Sequence, residues 1–297
     1  MSLIQIAPGV RRPVERLPDW LRKSEVDFPA LHDLKVELRR RGLHTVCESA
    51  RCPNIHECFA RKAATFMILG DICTRRCGFC AVPQGEPGAL DAAEPAHVAE
   101  MAAEMGLHHV VITSVNRDDL PDGGSEHFAE TLRQVRLRLP QARIEALTPD
   151  FCGDLDAVAR VLDAAPDIFN HNMETVAGLY RRVRPQADYR QSLDVLQFAK
   201  RRRPQCLTKS GLMVGLGETQ EQVRKLLDDL REAECDVATI GQYLQPKRHR
   251  LPVAEFVRPE VFEGYREYGE SIGFRAVFSG PFVRSSYMAE HVADGAL

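Results

Sequence analysis

Ala64-Thr-Phe-Met-Ile-Leu-Gly-Asp-Ile-Cys-Thr-Arg-Arg-Cys-Gly-Phe-Cys80 joins an apolar, strand-like run, Ala64–Leu69, to a loop bearing three cysteines. Outward from this stretch the chain alternates strand and helix patterns. Strand-like runs recur at His109–Thr113, Ile144–Leu147, Ile168–Asn172, Thr208–Val214 and Val237–Gln242. Helical patterns lie between them, near Pro95–Met105, Gly124–Arg138, Leu155–Ala164, Arg190–Arg202 and Thr219–Glu234. In the last of these, Val223, Leu226, Leu227 and Leu230 recur at helical spacing with charges on the opposite face. Six strands alternating with helices imply a parallel sheet, doubly wound or curled into a barrel. The alternating part, residues 64–243, spans about 180 residues, short of the roughly 250 typical of an eight-fold barrel. The expected fold is α/β, a partial (β/α)6 TIM-type barrel. Residues 1–63 and 244–297 form extensions placed to cover its open side or mouth.

Cys73, Cys77 and Cys80 form C-x3-C-x2-C just after the first strand, at the end where such barrels place their chemistry. Upstream, Cys47, Cys52 and Cys58 form C-x4-C-x5-C. Thiolates are soft ligands suited to iron–sulfur clusters and zinc. A zinc ribbon wants two C-x2-C pairs, and only Cys77–Cys80 qualifies. A bacterial ferredoxin wants C-x2-C-x2-C-x3-C, and neither triplet supplies that order or a fourth cysteine. Unrelated buried thiols, or zinc with three thiolates and water, are the alternatives on spacing alone. Three thiolates on a four-iron cluster leave one iron open to bind and react.

Composition narrows the classes. At 297 residues the chain can bury a full core in one domain. Its 39 Lys and Arg against 42 Asp and Glu, net −3, argue against a large nucleic-acid-binding face. No apolar stretch approaches the roughly 20 residues that span a bilayer, and the N-terminus lacks a secretory apolar core. Nine cysteines fit a reducing, cytoplasmic compartment better than a disulfide scaffold. No membrane or nucleic-acid partner is expected.

With Phe79 before its last cysteine, the second triplet resembles the radical S-adenosylmethionine superfamily. That resemblance implies a [4Fe–4S] cluster on Cys73, Cys77 and Cys80, with the open iron binding S-adenosylmethionine. Cleavage of the sulfonium then yields methionine and a 5′-deoxyadenosyl radical that abstracts hydrogen from unactivated carbon, chemistry that belongs to the cofactor. The match narrows with the upstream triplet, Asn170-His-Asn-Met-Glu-Thr175, Gly211-Leu-Met-Val-Gly-Leu-Gly-Glu218 and Arg284-Ser-Ser-Tyr287. Together they resemble the lipoyl synthase family, from about His44 to about Tyr287.

The family resemblance implies insertion of two sulfur atoms, at C6 and C8, into an octanoyl chain on a lysine of a carrier domain. The expected carriers are the E2 component of a 2-oxoacid dehydrogenase or the glycine cleavage H protein, with a separate electron donor. Two S-adenosylmethionine molecules serve each lipoyl group, and a second [4Fe–4S] cluster on Cys47, Cys52 and Cys58 is the sulfur source. A serine of Arg-Ser-Ser-Tyr is its fourth ligand, assigned to Ser286 with Ser285 as the alternative. Serinate is harder than thiolate and matches this iron less well, which would let it leave as the cluster opens.

Other residues carry weaker expectations. Thr113 and Ser114 end the second strand and are expected at the amino group of the cofactor; Asn170, Asn172 and Glu174 at its ribose or methionine part. Gly215, within Gly211–Glu218, is expected to let the backbone approach adenine, or to end a strand in a turn. Phe79 packs near adenine or closes the loop. His171 reads as a local hydrogen-bonding residue. The spacing of Asp118-Asp119-Leu-Pro-Asp122 does not fit a calcium loop. Cys152, Cys206 and Cys235 receive no role. Arg181-Arg182-Val-Arg184 and Arg201–Arg203 are solvated faces or a lure for an acidic carrier domain. The competing functions are a biotin synthase-like or methylthiotransferase-like enzyme and a non-catalytic iron–sulfur protein; none of these calls for both the upstream triplet and the C-terminal serine motif.

Overall fold

The computed structural model describes residues 17–22, 29–49, 52, 54–60 and 64–286. Tyr287 and the first sixteen residues lie outside the described residues. Eight strands form one sheet in chain order: β1 (His44–Thr45), β2 (Ala64–Ile68), β3 (His109–Ser114), β4 (Arg143–Leu147), β5 (Ile168–Asn170), β6 (Leu207–Val214), β7 (Val237–Gln242) and β8 (Ala276–Gly280). All neighbours pair in parallel except β1, which runs antiparallel to β2. The sheet does not close: β1 is one edge and β8 the other.

Strands β2 to β7 are the six expected ones, within two residues at each end. The sheet continues further than expected, because residues 244–297 supply a helix and strand β8. The helices are α1 (Pro29–Arg40), α2 (Val46–Ser49), α3 (Ile55–Ala60), α4 (Glu94–Glu104), α5 (Ser125–Arg138), α6 (Leu155–Asp163), α7 (Tyr180–Val183), α8 (Tyr189–Arg202), α9 (Gln220–Glu232) and α10 (Pro259–Ser271). Helix α9 shows why such segments form. Thr219 and Gln222 make a reciprocal capping box, and Val223, Leu226, Leu227 and Leu230 are buried against the sheet side. Asp154 and Asp188 cap α6 and α8 by accepting from backbone N–H groups of the first turn, without the reciprocal bond. No described helix is long and apolar enough to cross a membrane.

The barrel interior is polar at its floor. Glu145 on β4 and Lys209 on β6 are wholly buried and pair at 3.0 Å. Asn170 Nδ2 on β5 donates to Glu145 Oε1 at 2.7 Å, and His109 Nε2 on β3 lies 3.5 Å from Oε2. Burial pushes the Glu145 carboxyl up, but the Lys209 charge and then His109 outweigh this and hold it at about 2.

Candidate functional site

Above this floor a cavity of about 530 Å³ opens among the C-terminal strand ends. All six cysteines of the two triplets line it, as do Phe79, Thr113, Ser114, Asn172, Glu174, Ser285 and Ser286. Residues nearly 240 positions apart thus face one space.

The second triplet is held from several sides. Between Cys73 and Cys77, the Arg75 guanidinium is buried and reaches Asp118 after β3 (Nε to Oδ2, 2.7 Å) and Asp150 after β4 (Nη2 to Oδ1, 2.6 Å). Burial raises the Asp150 carboxyl, but the Arg75 hydrogen bond and charge outweigh it and hold the group at about 2. The backbone N–H groups of Arg75 and Asn116 each point at Cys73 Sγ from 3.4 Å. Gly78 is pinned between its N–H donated to Val183 O (2.8 Å) and the Leu251 N–H donated to its own carbonyl (3.0 Å). A Cβ there would meet Leu251 Cδ1 at 2.7 Å, so any larger residue would have to displace that side chain. Phe79 packs with Val183, Leu216 and Tyr243 while also lining the cavity, so it closes the loop and faces the site.

The first triplet sits at the seam of the open barrel. Cys47 lies on α2 and Cys58 on α3, between edge strand β1 and β2. Across the gap, the chain leaving β8 comes back over the mouth. Asn54, between Cys52 and Cys58, donates through Nδ2 to Phe282 O at 2.7 Å and joins the two edges. The tail then dips into the barrel. A Cβ on Gly241 would meet Val283 O, and one on Gly211 would stand 2.6 Å from Ser285 Oγ. Two strand glycines therefore make room for the tail. Ser285 Oγ donates to Asn172 Oδ1 at 2.8 Å. Among the described residues no hydrogen bond engages Ser286, and both serines line the cavity.

Burial pushes the Cys47 thiol up to about 11 and Cys77 to about 12, and raises Cys80 as well. These groups keep their protons until a metal displaces them. The donor set suits iron–sulfur clusters: six soft thiols and a hydroxyl on one buried cavity. Among the described residues no three His, Cys, Asp or Glu side chains close on a single-ion geometry. The walls also hold buried polar atoms without a partner among the described residues: Ser114 Oγ, Asn116 Oδ1 and His171 Nε2. Such atoms suit a polar, zwitterionic ligand. His171 Nδ1 lies 3.0 Å from Thr148 O. Burial, then the Arg184 charge, lowers the imidazole to about 4. The ring is therefore neutral, and because a carbonyl only accepts, Nδ1 carries the proton and Nε2 offers a lone pair.

Thr113 and Ser114 divide their work, since Thr113 Oγ1 donates to Leu147 O at 2.8 Å and Ser114 is left open. Glu174, with φ of 65°, accepts from Asn172 Nδ2 at 3.0 Å, and burial raises its carboxyl. Two of the expected cofactor contacts lie off the cavity wall, and Gly215 ends its strand in a turn, the second of its two expected roles. Asn170 is absent from the cavity wall because its amide is spent on the buried Glu145. Gly215 is also absent, since the crossing chain occupies the space over it. A Cβ there would collide with Glu255 O. The sequence reading also missed Asn54, Arg75, Arg184 and Arg284. Arg184 is buried at the wall and donates to Asn172 O at 2.8 Å. Arg284 is half-buried near Cys52, and desolvation lowers its guanidinium. Cys152, Cys206 and Cys235 do not line the cavity.

The Radical SAM superfamily profile matches residues 67–230. A lipoyl synthase of Caldicellulosiruptor bescii is 53% identical over 277 residues, covering 93% of this chain and 95% of the relative. One from Alcanivorax borkumensis is 55% identical over 277 residues, 93% of this chain and 85% of the relative. Among solved structures, the [FeFe]-hydrogenase maturase HydG superposes with a TM-score of 0.54 at 13% identity, covering 83% of this chain and 68% of that one. Streptococcus suis SuiB bound to its precursor peptide SuiA gives 0.54 at 12% identity, covering 89% and 57%. At such identities these two bear on the fold alone, and they agree with a partial barrel.

Proposed function

The chain belongs to the lipoyl synthase family of the radical SAM superfamily, and from that premise we propose that it inserts two sulfur atoms, at C6 and C8, into an octanoyl group borne on a carrier-domain lysine. The carriers are the E2 component of a 2-oxoacid dehydrogenase or the glycine cleavage H protein, and the compartment is cytoplasmic. The observation that carries this reading is the shared cavity: both triplets and Ser286 face one space of about 530 Å³. A carbon held there lies within reach of both.

In this reading Cys73, Cys77 and Cys80 hold the [4Fe–4S] cluster that binds S-adenosylmethionine. When bound, the pair supplies hydrogen abstraction from an unactivated carbon. The sulfur-donating [4Fe–4S] cluster is a substrate held by Cys47, Cys52, Cys58 and Ser286. The chain's own contribution is positioning and exclusion. Arg75 ties the second triplet to the loops after β3 and β4. The lone pair of neutral His171 and the open Ser114 and Asn116 oxygens accept hydrogen bonds from a bound ammonium or hydroxyl. Glu174 and Asn172 present a paired polar edge beside them. The tail from Phe282 to Ser286 closes the barrel seam and keeps water from the first triplet.

The test supplies cluster-loaded protein with reductant, S-adenosylmethionine and an octanoylated carrier peptide, followed by mass spectrometry. Two added sulfur atoms per peptide are expected. Methionine and 5′-deoxyadenosine without added sulfur would place the chain elsewhere in the superfamily.

A further inference from the structure

Residues 76–84, 178–187 and 244–253 are remote in sequence but are joined into one surface over the second triplet. Gly78 bonds both Val183 and Leu251. The Arg76 N–H donates to Gln186 Oε1 at 2.6 Å, and Lys247 Nζ donates to Ala81 O at 3.0 Å. None of the three segments contains an Asp or Glu, yet they carry Arg76, Arg181, Arg182, Arg184, Lys247, Arg248 and Arg250. Arg184 points inward, whereas Arg76, Arg181, Arg182, Arg248 and His249 are exposed. Among the described residues, no ion pair engages these exposed arginines. Many exposed cations elsewhere meet a carboxylate, as Arg133 meets Glu126, Arg190 meets Asp194 and Arg202 meets Asp163, while Arg138, Arg224 and Arg275 stand singly rather than in a cluster. A chain of net charge −3 has left its cations unanswered here. Repulsion among like charges costs stability, and an opposite charge on a partner would offset it.

Position identifies the partner. The patch continues the cavity wall, because Phe79–Val82 and Leu244–Pro246 line the cavity and the basic segments run directly from them. We propose that this basic face docks the acidic side of the carrier domain, so that its acylated lysine arm enters the cavity beside it. This rests on the function proposed above.

The test compares cluster-loaded parent protein with the triple variant Arg181→Glu, Arg182→Glu and Arg248→Glu. One substrate is an octanoylated carrier domain; the other is a short octanoyl-lysine peptide with neutral flanks. The variant should raise KM for the domain about tenfold or more at low salt, flatten its salt dependence, and leave peptide turnover unchanged. The corresponding triple Gln variant should fall between, which separates docking from a folding defect. Equal KM and salt dependence for the domain, or an equal loss with the peptide, would overturn the proposal. If the parent converts neither substrate, the functional reading fails, and docking is decided by fluorescence anisotropy of a labelled carrier domain. Binding weakened in the variant supports it. Unchanged binding, or a preference of the patch for tRNA or anionic vesicles over the domain, overturns it.

Discussion

Cys73, Cys77 and Cys80 lie on a loop braced from several sides by one continuous barrel, whereas Cys47, Cys52 and Cys58 lie at a seam completed by the far end of the chain. The first arrangement depends on Arg75, Asn116 and the pinned Gly78. The second depends on the hydrogen bond from Asn54 Nδ2 to Phe282 O and on a tail seated over Gly211 and Gly241. A resident group that must keep its place suits the braced loop. A group that is opened and replaced suits a site whose last wall comes from a separate segment of the chain.

The comparison breaks most sharply by deleting one thiol on each side. Cys77→Ala should abolish S-adenosylmethionine cleavage. Cys52→Ala should keep cleavage but abolish sulfur insertion, and each should lower iron from about eight to about four per chain. Identical phenotypes would erase the distinction. Next in size is Arg75→Met, which strands buried Asp150 beside Asp118 and should cost about 3–5 kcal/mol in thermal unfolding. A change within about 0.5 kcal/mol would show that the brace is idle.

Acid provides a graded version. Glu145 and Asp150 both titrate at about 2 in the folded chain, below their ordinary values of 4.5 and 3.8. Their stabilisation is therefore complete above those ordinary values and is lost as pH falls toward 2. Melting temperature should drop steeply across that window, and the double variant Glu145→Gln, Lys209→Met should flatten it; an unchanged slope would exclude the buried pair. The smallest expected stability effect is at the tail. Ser285→Ala removes one hydrogen bond to Asn172, worth about 1 kcal/mol, and should keep sulfur insertion, while Ser286→Ala should lose it at little stability cost. The reverse outcome would exchange their roles.

Much of this was legible beforehand, and the failures have physical causes. The six core strands announce themselves by apolar runs between amphipathic helices. Strand β8 does not, because Ala276–Gly280 is short and follows a helix interrupted by Gly264 and Gly269. The cysteine spacing pointed to candidate ligands, but not that both triplets share a cavity. That Asn170 and Gly215 lie off the cavity wall was not legible, because their neighbours are distant in sequence: Glu145 holds the one, and Glu255 crowds the other. The choice between the adjacent serines likewise turns on Asn172, 113 positions from Ser285.

The most direct test of the two-site account loads the protein with 34S-labelled sulfide and follows a single turnover on octanoylated carrier peptide. The account predicts labelled sulfur in the product, loss of about four iron atoms per chain, and retained ability to cleave S-adenosylmethionine. Unlabelled sulfur in the product, or insertion with the iron at both triplets intact, would contradict it.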